Sequence, residues 1–295
     1  MTVESSIFKD NLFAGLSGRQ GVVTGPYEVA TPLVIAVHGG TYSSAYFDVP
    51  GYSLFDKAKQ LNIPILALDR PGYGFSKPLP IDRATIEGQA AYLGPLLQAA
   101  WEEYGAGTCG IVLIGHSIGA AIATVIAAEN RQSPLLGLAV SGVGMRTPEH
   151  FRDAWDSLPD TYMVDMPKAI KDDVMFGPEG SFGDDMPNVT YPAYTEAPKV
   201  ELVDIVGTWS DKVSDVLAKV RVPVHYRQGE MDKLWIVSPA EVNDFARSLT
   251  WASRVDAAMV EQTGHCMDYH LIASSFQIQQ LGFAMQCAQE AWWRQ

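Results

Sequence analysis

The sequence predicts an α/β protein: a mostly parallel central sheet flanked by helices, with one inserted, mainly helical segment. Three observations lead there. Short runs rich in Val, Ile and Leu alternate with segments of helical length, the order expected of βα units wound onto one sheet. Several of those runs are apolar throughout, which suits strands covered on both faces. The alternation then stops between Arg146 and Val220, where seven prolines interrupt short helix-like pieces.

Along the chain, the residues before Leu33 allow an antiparallel edge hairpin, although Gly18, Gly21, Gly25 and Pro26 interrupt it. Strands are predicted at Leu33 to Val37, Ile63 to Leu68, Ile111 to Ile114, Leu135 to Val140, Val222 to Tyr226 and Val255 to Val260. Helices are predicted at Tyr52 to Gln60, Thr85 to Tyr104, Gly119 to Asn130, Pro239 to Leu249 and Leu271 to Trp293. Alanines at 120, 121, 123, 127 and 128 make the third of these slim enough to pack close to a sheet. Residues 1–145 and 221–295 are therefore expected to form the core and residues 146–220 an inserted cap. Trp155, Tyr162, Phe176, Phe182, Tyr191, Tyr194 and Trp209 are too many aromatics for a solvated tether.

Apolar residues make up 47% of the 295 and charged residues 19%, enough to bury a large core. Twenty-one Lys and Arg against 34 acids give a net charge of −13 with no dense basic cluster, which argues against nucleic acid and anionic membranes as partners. More than half of that negative charge falls between Arg146 and Arg221, with fifteen acids against eight bases. The start, Met1 to Ser6, lacks the basic and apolar stretches of a secretory signal, and no apolar run is long enough to span a bilayer, so a cytoplasmic location is expected. Cys109, Cys266 and Cys287 are too few and scattered for a disulfide framework or a paired-cysteine zinc site. They are read as reduced and mostly buried, and no cofactor or metal is expected.

Gly115-His116-Ser117-Ile118-Gly119 follows a predicted strand and opens a predicted helix, the setting of a G-x-S-x-G elbow. Such a tight turn holds the serine in strained geometry and needs small neighbours, which Gly115 and Gly119 supply. The hydroxyl then stands above the sheet, with the helix amino terminus behind it. A serine needs a base to take its proton. Of six histidines, His265 alone lies in a loop after the last strand, in Gln262-Thr263-Gly264-His265-Cys266; His270, at the start of the last helix, is the second choice. A carboxylate must fix the imidazole tautomer, and the turn Gly229-Glu230-Met231-Asp232 presents two. For the oxyanion, Ile118 offers one N–H, and His38-Gly39-Gly40-Thr41 offers the other from Gly40, with Thr41 second.

His38-Gly39-Gly40, the segment Asp69-Arg70-Pro71-Gly72-Tyr73-Gly74-Phe75-Ser76, the elbow, Gly229 to Asp232 and Gly264-His265 occur in the order seen in the α/β-hydrolase superfamily, which the chain resembles over nearly its whole length outside the cap. The resemblance implies the α/β-hydrolase fold. It favours Asp232 over Glu230 as the triad acid and makes Asp69 to Ser76 a structural loop beside the site. Serine at the elbow is similar to the esterases, lipases, thioesterases and carbon–carbon bond hydrolases of that superfamily. Haloalkane dehalogenases and epoxide hydrolases carry aspartate there, and dienelactone hydrolases carry cysteine. Hydroxynitrile lyases have lysine after the catalytic histidine, where this chain has Cys266.

The expected activity is cleavage of a small, ester-like molecule with an apolar group through an acyl-enzyme. Thioester or carbon–carbon hydrolysis, a non-hydrolytic receptor, a cofactor-free lyase or oxygenase and a homodimeric state stay open. Aromatics and methionines of the cap suggest an apolar or ring-bearing group, and its acidity argues against strongly anionic substrates such as coenzyme A esters.

Overall fold

The computed structural model describes residues 4–23, 27, 30–129 and 134–294. Met1 to Val3, Gly25, Pro26 and Asn130, which enter the sequence reading, lie outside the described residues. In chain order the strands are β1 (Ser6–Phe13), β2 (Leu16–Gly21), β3 (Leu33–Val37), β4 (Ile65–Leu68), β5 (Ile111–His116), β6 (Leu135–Ser141), β7 (Met163–Val164), β8 (Ala197–Pro198), β9 (Val224–Gly229) and β10 (Val255–Val260). The helices are α1 (Leu54–Gln60), α2 (Ile86–Leu93), α3 (Leu96–Tyr104), α4 (Ile118–Glu129), α5 (Glu149–Asp156), α6 (Lys168–Met175), α7 (Lys199–Gly207), α8 (Trp209–Leu217), α9 (Pro239–Ser248) and α10 (Ala273–Trp292).

Eight strands form one sheet in the order β1-β2-β4-β3-β5-β6-β9-β10. β2 runs antiparallel to both β1 and β4, and every pairing from β4 to β10 is parallel. The edge hairpin that the glycines left uncertain is thus formed, turning at Ala14 and Gly15, both with positive φ. The predicted parallel sheet of doubly covered strands is present: every residue of β3 and β5 is buried. After β3 the chain adds β4 on one side and then returns to lay β5 on the other. β3 and β5 pair in parallel up to Val37 and Gly115, and the connections beyond them leave towards opposite sides of the sheet, the switch point at which open α/β sheets bind ligands.

Local chemistry sets most helix starts. Ser53, Thr85 and Ser238 each accept a backbone N–H from the first turn of α1, α2 and α9, and Pro239 occupies the first position of α9, where a missing N–H costs nothing. The single helix expected from Thr85 to Tyr104 is instead two, α2 and α3. Pro95 lacks the N–H that would continue the ladder, so the chain breaks at Gly94-Pro95. The alanine-rich α4 is buried almost throughout and packs against β5, β6, α2 and α8. Among the described residues no helix is long and apolar enough to cross a membrane.

Residues 146–220 supply α5 to α8 and the two-residue ribbon β7–β8 between β6 and β9. α5 packs on α7, while α8 turns back onto α4 and α9. The segment is joined to the sheet by a fully buried ion pair between Arg70, just beyond β4, and Glu201 in the first turn of α7. Arg70 Nη1 reaches Glu201 Oε2 at 2.6 Å and Nη2 reaches Oε1 at 3.0 Å. Its remaining donors go to Gln89 Oε1 at 2.6 Å, Gly39 O at 3.0 Å and His38 O at 2.9 Å. Glu201 also accepts from Gln89 Nε2 and the Tyr73 hydroxyl.

Removing one partner of a buried pair leaves the other charge uncompensated, which costs more than removing both. Arg70→Met should therefore lower stability by about 3–5 kcal/mol. Adding Glu201→Met to it should restore much of the loss; urea unfolding of the single and double variants measures both values.

Candidate active site

Ser117 sits between β5 and α4 with φ +55°, in the left-handed region that ordinary side chains avoid. Its N–H is fixed on Ser141 O at 2.9 Å, and its carbonyl accepts from Ala120 and Ala121 as α4 begins. The close packing that holds this turn explains its glycines. A Cβ on Gly119 would lie 2.2 Å from Val37 O, and one on Gly39 would lie 2.8 Å from the Ser117 Cβ. Only residues without a side chain let the β3 loop, the elbow and α4 meet this closely.

The loop after β10 brings His265 to the same end of the sheet. His265 Nδ1 and Asp232 Oδ2 are 2.7 Å apart, and both side chains are fully buried. Asp232 is itself held: its Oδ2 accepts from Gln228 Nε2 at 2.7 Å and its Oδ1 from Leu234 N at 2.9 Å. With its Nδ1 proton on the carboxylate, the imidazole keeps a lone pair on Nε2, which is buried without a hydrogen-bond partner. The ring lies 4.8 Å from that of His116 and against Gly142, next to the carbonyl that anchors Ser117.

The other candidates are placed elsewhere. Glu230 is exposed, and its carboxylate accepts from Gln262 N at 2.8 Å, capping the turn after β10. His270 uses both ring nitrogens structurally: Nδ1 donates to Cys266 O at 2.8 Å, and Nε2 accepts from Gly177 N and Gly264 N at 2.9 and 3.0 Å. His116 stacks on Tyr46 at 4.6 Å, and burial holds its pKa well below the usual histidine range. Cys266 is buried between Tyr42, His116 and Met175, and burial pushes its thiol pKa up. Asp69 accepts from Ser44 N and the Ser17 hydroxyl, as a loop-bracing residue does.

Gly40, Thr41, Ser117 and Ile118 line one wall of a cavity of about 50 Å³. As the first residue of α4, Ile118 has an N–H without an acceptor in its own helix. Thr41 has φ +60°, and its N–H donates to the Tyr73 hydroxyl at 3.4 Å. The remaining walls come from Leu234 and Trp235 after β9 and from residues 146–220, among them Trp155, Met166, Leu202, Ile205 and Val206. Lys171 of α6 also reaches this cavity.

Sequence reading missed Lys171, Glu201 and Gln228. Lys171 carries one signal in retrospect: it falls three and four positions before Val174 and Met175, on the buried face of α6. Among the described residues no group of three or more His, Cys, Asp or Glu is arranged to hold a metal ion.

Comparison with known proteins places this geometry in context. The alpha/beta hydrolase family model matches residues 34–271. The mouse protein phosphatase methylesterase 1 is 30% identical over 169 residues, which cover 57% of this chain and 39% of that protein. Among solved structures, a soluble variant of monoglyceride lipase from Saccharomyces cerevisiae aligns with a TM-score of 0.70 at 13% identity, covering 97% of each chain. An esterase from Exiguobacterium antarcticum aligns at 0.68 and 16% identity, covering 94% of this chain and 98% of its own. These structural likenesses are likenesses of fold.

The elbow packing yields a direct test. Gly119→Ala sets a methyl group against the Val37 carbonyl, and overpacking of this kind should cost about 3 kcal/mol, read as a lower urea midpoint with an unchanged slope.

Proposed function

We infer that this chain, which belongs to the alpha/beta hydrolase family, is a cytoplasmic serine hydrolase that cleaves the carboxylic ester of a small molecule with an apolar group. The observation that carries the reading is the buried Asp232–His265 pair, whose Nε2 is left without a partner and whose ring lies against Gly142, next to the Ser141 carbonyl that anchors the strained Ser117. Esterase, lipase and methylesterase relatives support an ester as the bond cleaved.

In the proposed reaction His265 Nε2 takes the Ser117 hydroxyl proton as Oγ bonds to the ester carbonyl carbon. The carbonyl π pair moves onto oxygen, where the Gly40 and Ile118 N–H groups stabilise the negative charge. Collapse breaks the bond to the alcohol, which leaves with the proton from His265. Water then attacks the acyl-enzyme, giving one proton to His265. The second collapse returns that proton to Ser117 Oγ and releases the acid. Asp232 keeps the Nδ1 tautomer and stabilises the imidazolium without taking a proton itself. Residues 146–220 act as the cap that selects the acyl or alcohol group, because they form most of the wall opposite the serine.

Intact-mass measurement of a fluorophosphonate adduct, combined with a panel of esters, thioesters and lactones, tests this reading. Wild type should be labelled once and should turn over short esters fastest. Ser117→Ala should abolish labelling and lower kcat on the order of 10⁶-fold. Asp232→Asn should lower kcat about 10⁴-fold, whereas Glu230→Gln should stay within about two-fold of wild type. Labelling without turnover of any acyl bond would instead support a receptor or a cofactor-free lyase.

A further inference from the structure

Lys171 is the one charged side chain among the described residues that line the cavity beside Ser117. It is 2% exposed. Its Nζ donates to Thr41 O and lies 3.8 Å from the centroid of the Tyr42 ring and 3.3 Å from that of Tyr194. No carboxylate forms an ion pair with it among the described residues. The neighbouring acid, Asp172, is turned to the Tyr191 and Tyr194 hydroxyls at 2.9 and 2.6 Å. An ammonium has three donors, and Thr41 takes one. A positive charge is thus held between two rings and a carbonyl, on a residue that lines a cavity otherwise walled by groups such as Trp155, Met166, Val174 and Leu202.

A buried charge without a counterion is costly, and a ligand that supplies one relieves the cost. We propose that Lys171 recognises a free carboxylate on the substrate, so that the preferred substrates are small esters bearing one, such as half-esters of short dicarboxylic acids. The inference rests on the reading of Ser117 as an ester-cleaving nucleophile. A neutral ester of the same shape would leave the ammonium unpaired, which is how a site rejects an analogue lacking its polar partner. Of the fifteen acids between Arg146 and Arg221 only Glu201 is buried, and that one is paired with Arg70.

The charge state gives a second handle. Burial lowers the Lys171 pKa to about 7, opposed by Cys266, Asp172 and Asp165. These, with Tyr42 and Tyr194, are the titratable groups that face it. Carboxylate recognition needs the ammonium, so it should be strong below pH 7 and fade above it.

The experiment compares half-methyl esters of succinate, glutarate and adipate with the methyl esters of their carbamoyl isosteres, which are neutral and equal in shape. The readout is the ratio of kcat/KM within each pair. In wild type at least one pair should favour the carboxylate about 30-fold below pH 7, the size of a charge-assisted hydrogen bond, with the ratio falling as pH rises past 7. Lys171→Met should bring that ratio to about 1 at every pH, Lys171→Arg should retain most of it and remove its fall near pH 7, and the exposed Lys168→Met should leave it at the wild-type value. Fluorophosphonate labelling of Ser117 verifies that each variant keeps a formed site. Turnover of neutral esters with no carboxylate preference in any pair overturns the role of Lys171 and leaves the hydrolase reading standing. A preference that survives in Lys171→Met overturns it as well. Absence of both turnover and labelling overturns the hydrolase reading and this inference together.

Discussion

The buried contact between Arg70 and Glu201 sets the geometry on which the rest of the site depends. All five guanidinium donors are directed, two to the carboxylate, one to Gln89 and two to the carbonyls of His38 and Gly39. One side chain therefore touches the loop that ends β3 and the helix that carries Leu202, Ile205 and Val206 over Ser117. A buried ion pair is not in general a source of net stability, because desolvation offsets its Coulomb energy. Its contribution here is register. Apolar packing alone would let α7 slide on the sheet, whereas a planar fork with fixed directions admits one position.

With that position fixed, the structure can hold backbone conformations that short peptides avoid. Ser117 and Thr41, which follow β5 and β3, both have positive φ. Each such residue costs on the order of 1–3 kcal/mol and persists only when its surroundings over-determine it. Around Ser117 those surroundings are the Ser141 carbonyl, α4 and the glycines that let β3 approach. Around Thr41 they are Tyr73 on its N–H and, from residues 146–220, Thr195 N and Lys171 Nζ on its carbonyl. The loop after β3 is thus braced by the same segment that walls the cavity.

Charge is divided by depth in this chain. Most acids of residues 146–220 face solvent, where salt screens them. The buried charged residues are individually directed, among them Arg70 with Glu201, Asp232 with His265, Asp69 with Ser44 N and the Ser17 hydroxyl, Asp268 with Tyr46 and Gln277, and Lys171 with Thr41 O. Net composition reports the first group and says nothing of the second.

The strands around the elbow and the elbow itself were legible in the sequence because they depend on neighbours in the chain: apolar runs bounded by turns, and glycines flanking Ser117. His265 was legible for the same reason, as the one histidine in a loop following the last strand. Pro95 was an equally local signal, and it split a helix that the long apolar pattern had suggested was continuous. Glu230 and Asp232 share one turn, and the sequence offers both; the extension of β9 to Gly229 and the hydrogen bonds from Gln228 and Leu234 aim Asp232 at His265 and leave Glu230 in solvent. Glu201 and Lys171 lay beyond sequence reading altogether. Helical periodicity tells which residues share a face, but what covers that face depends on contacts between segments more than a hundred residues apart, as with Arg70 and Glu201 or Thr41 and Lys171. The sequence by itself determined the layered sheet, the tight turn at Ser117 and the loop after the last strand that holds His265. Tertiary structure alone decided which of the two acids pairs with His265 and that Lys171 is buried where it lines the cavity, because only close packing converts a polar residue into a directed, desolvated one.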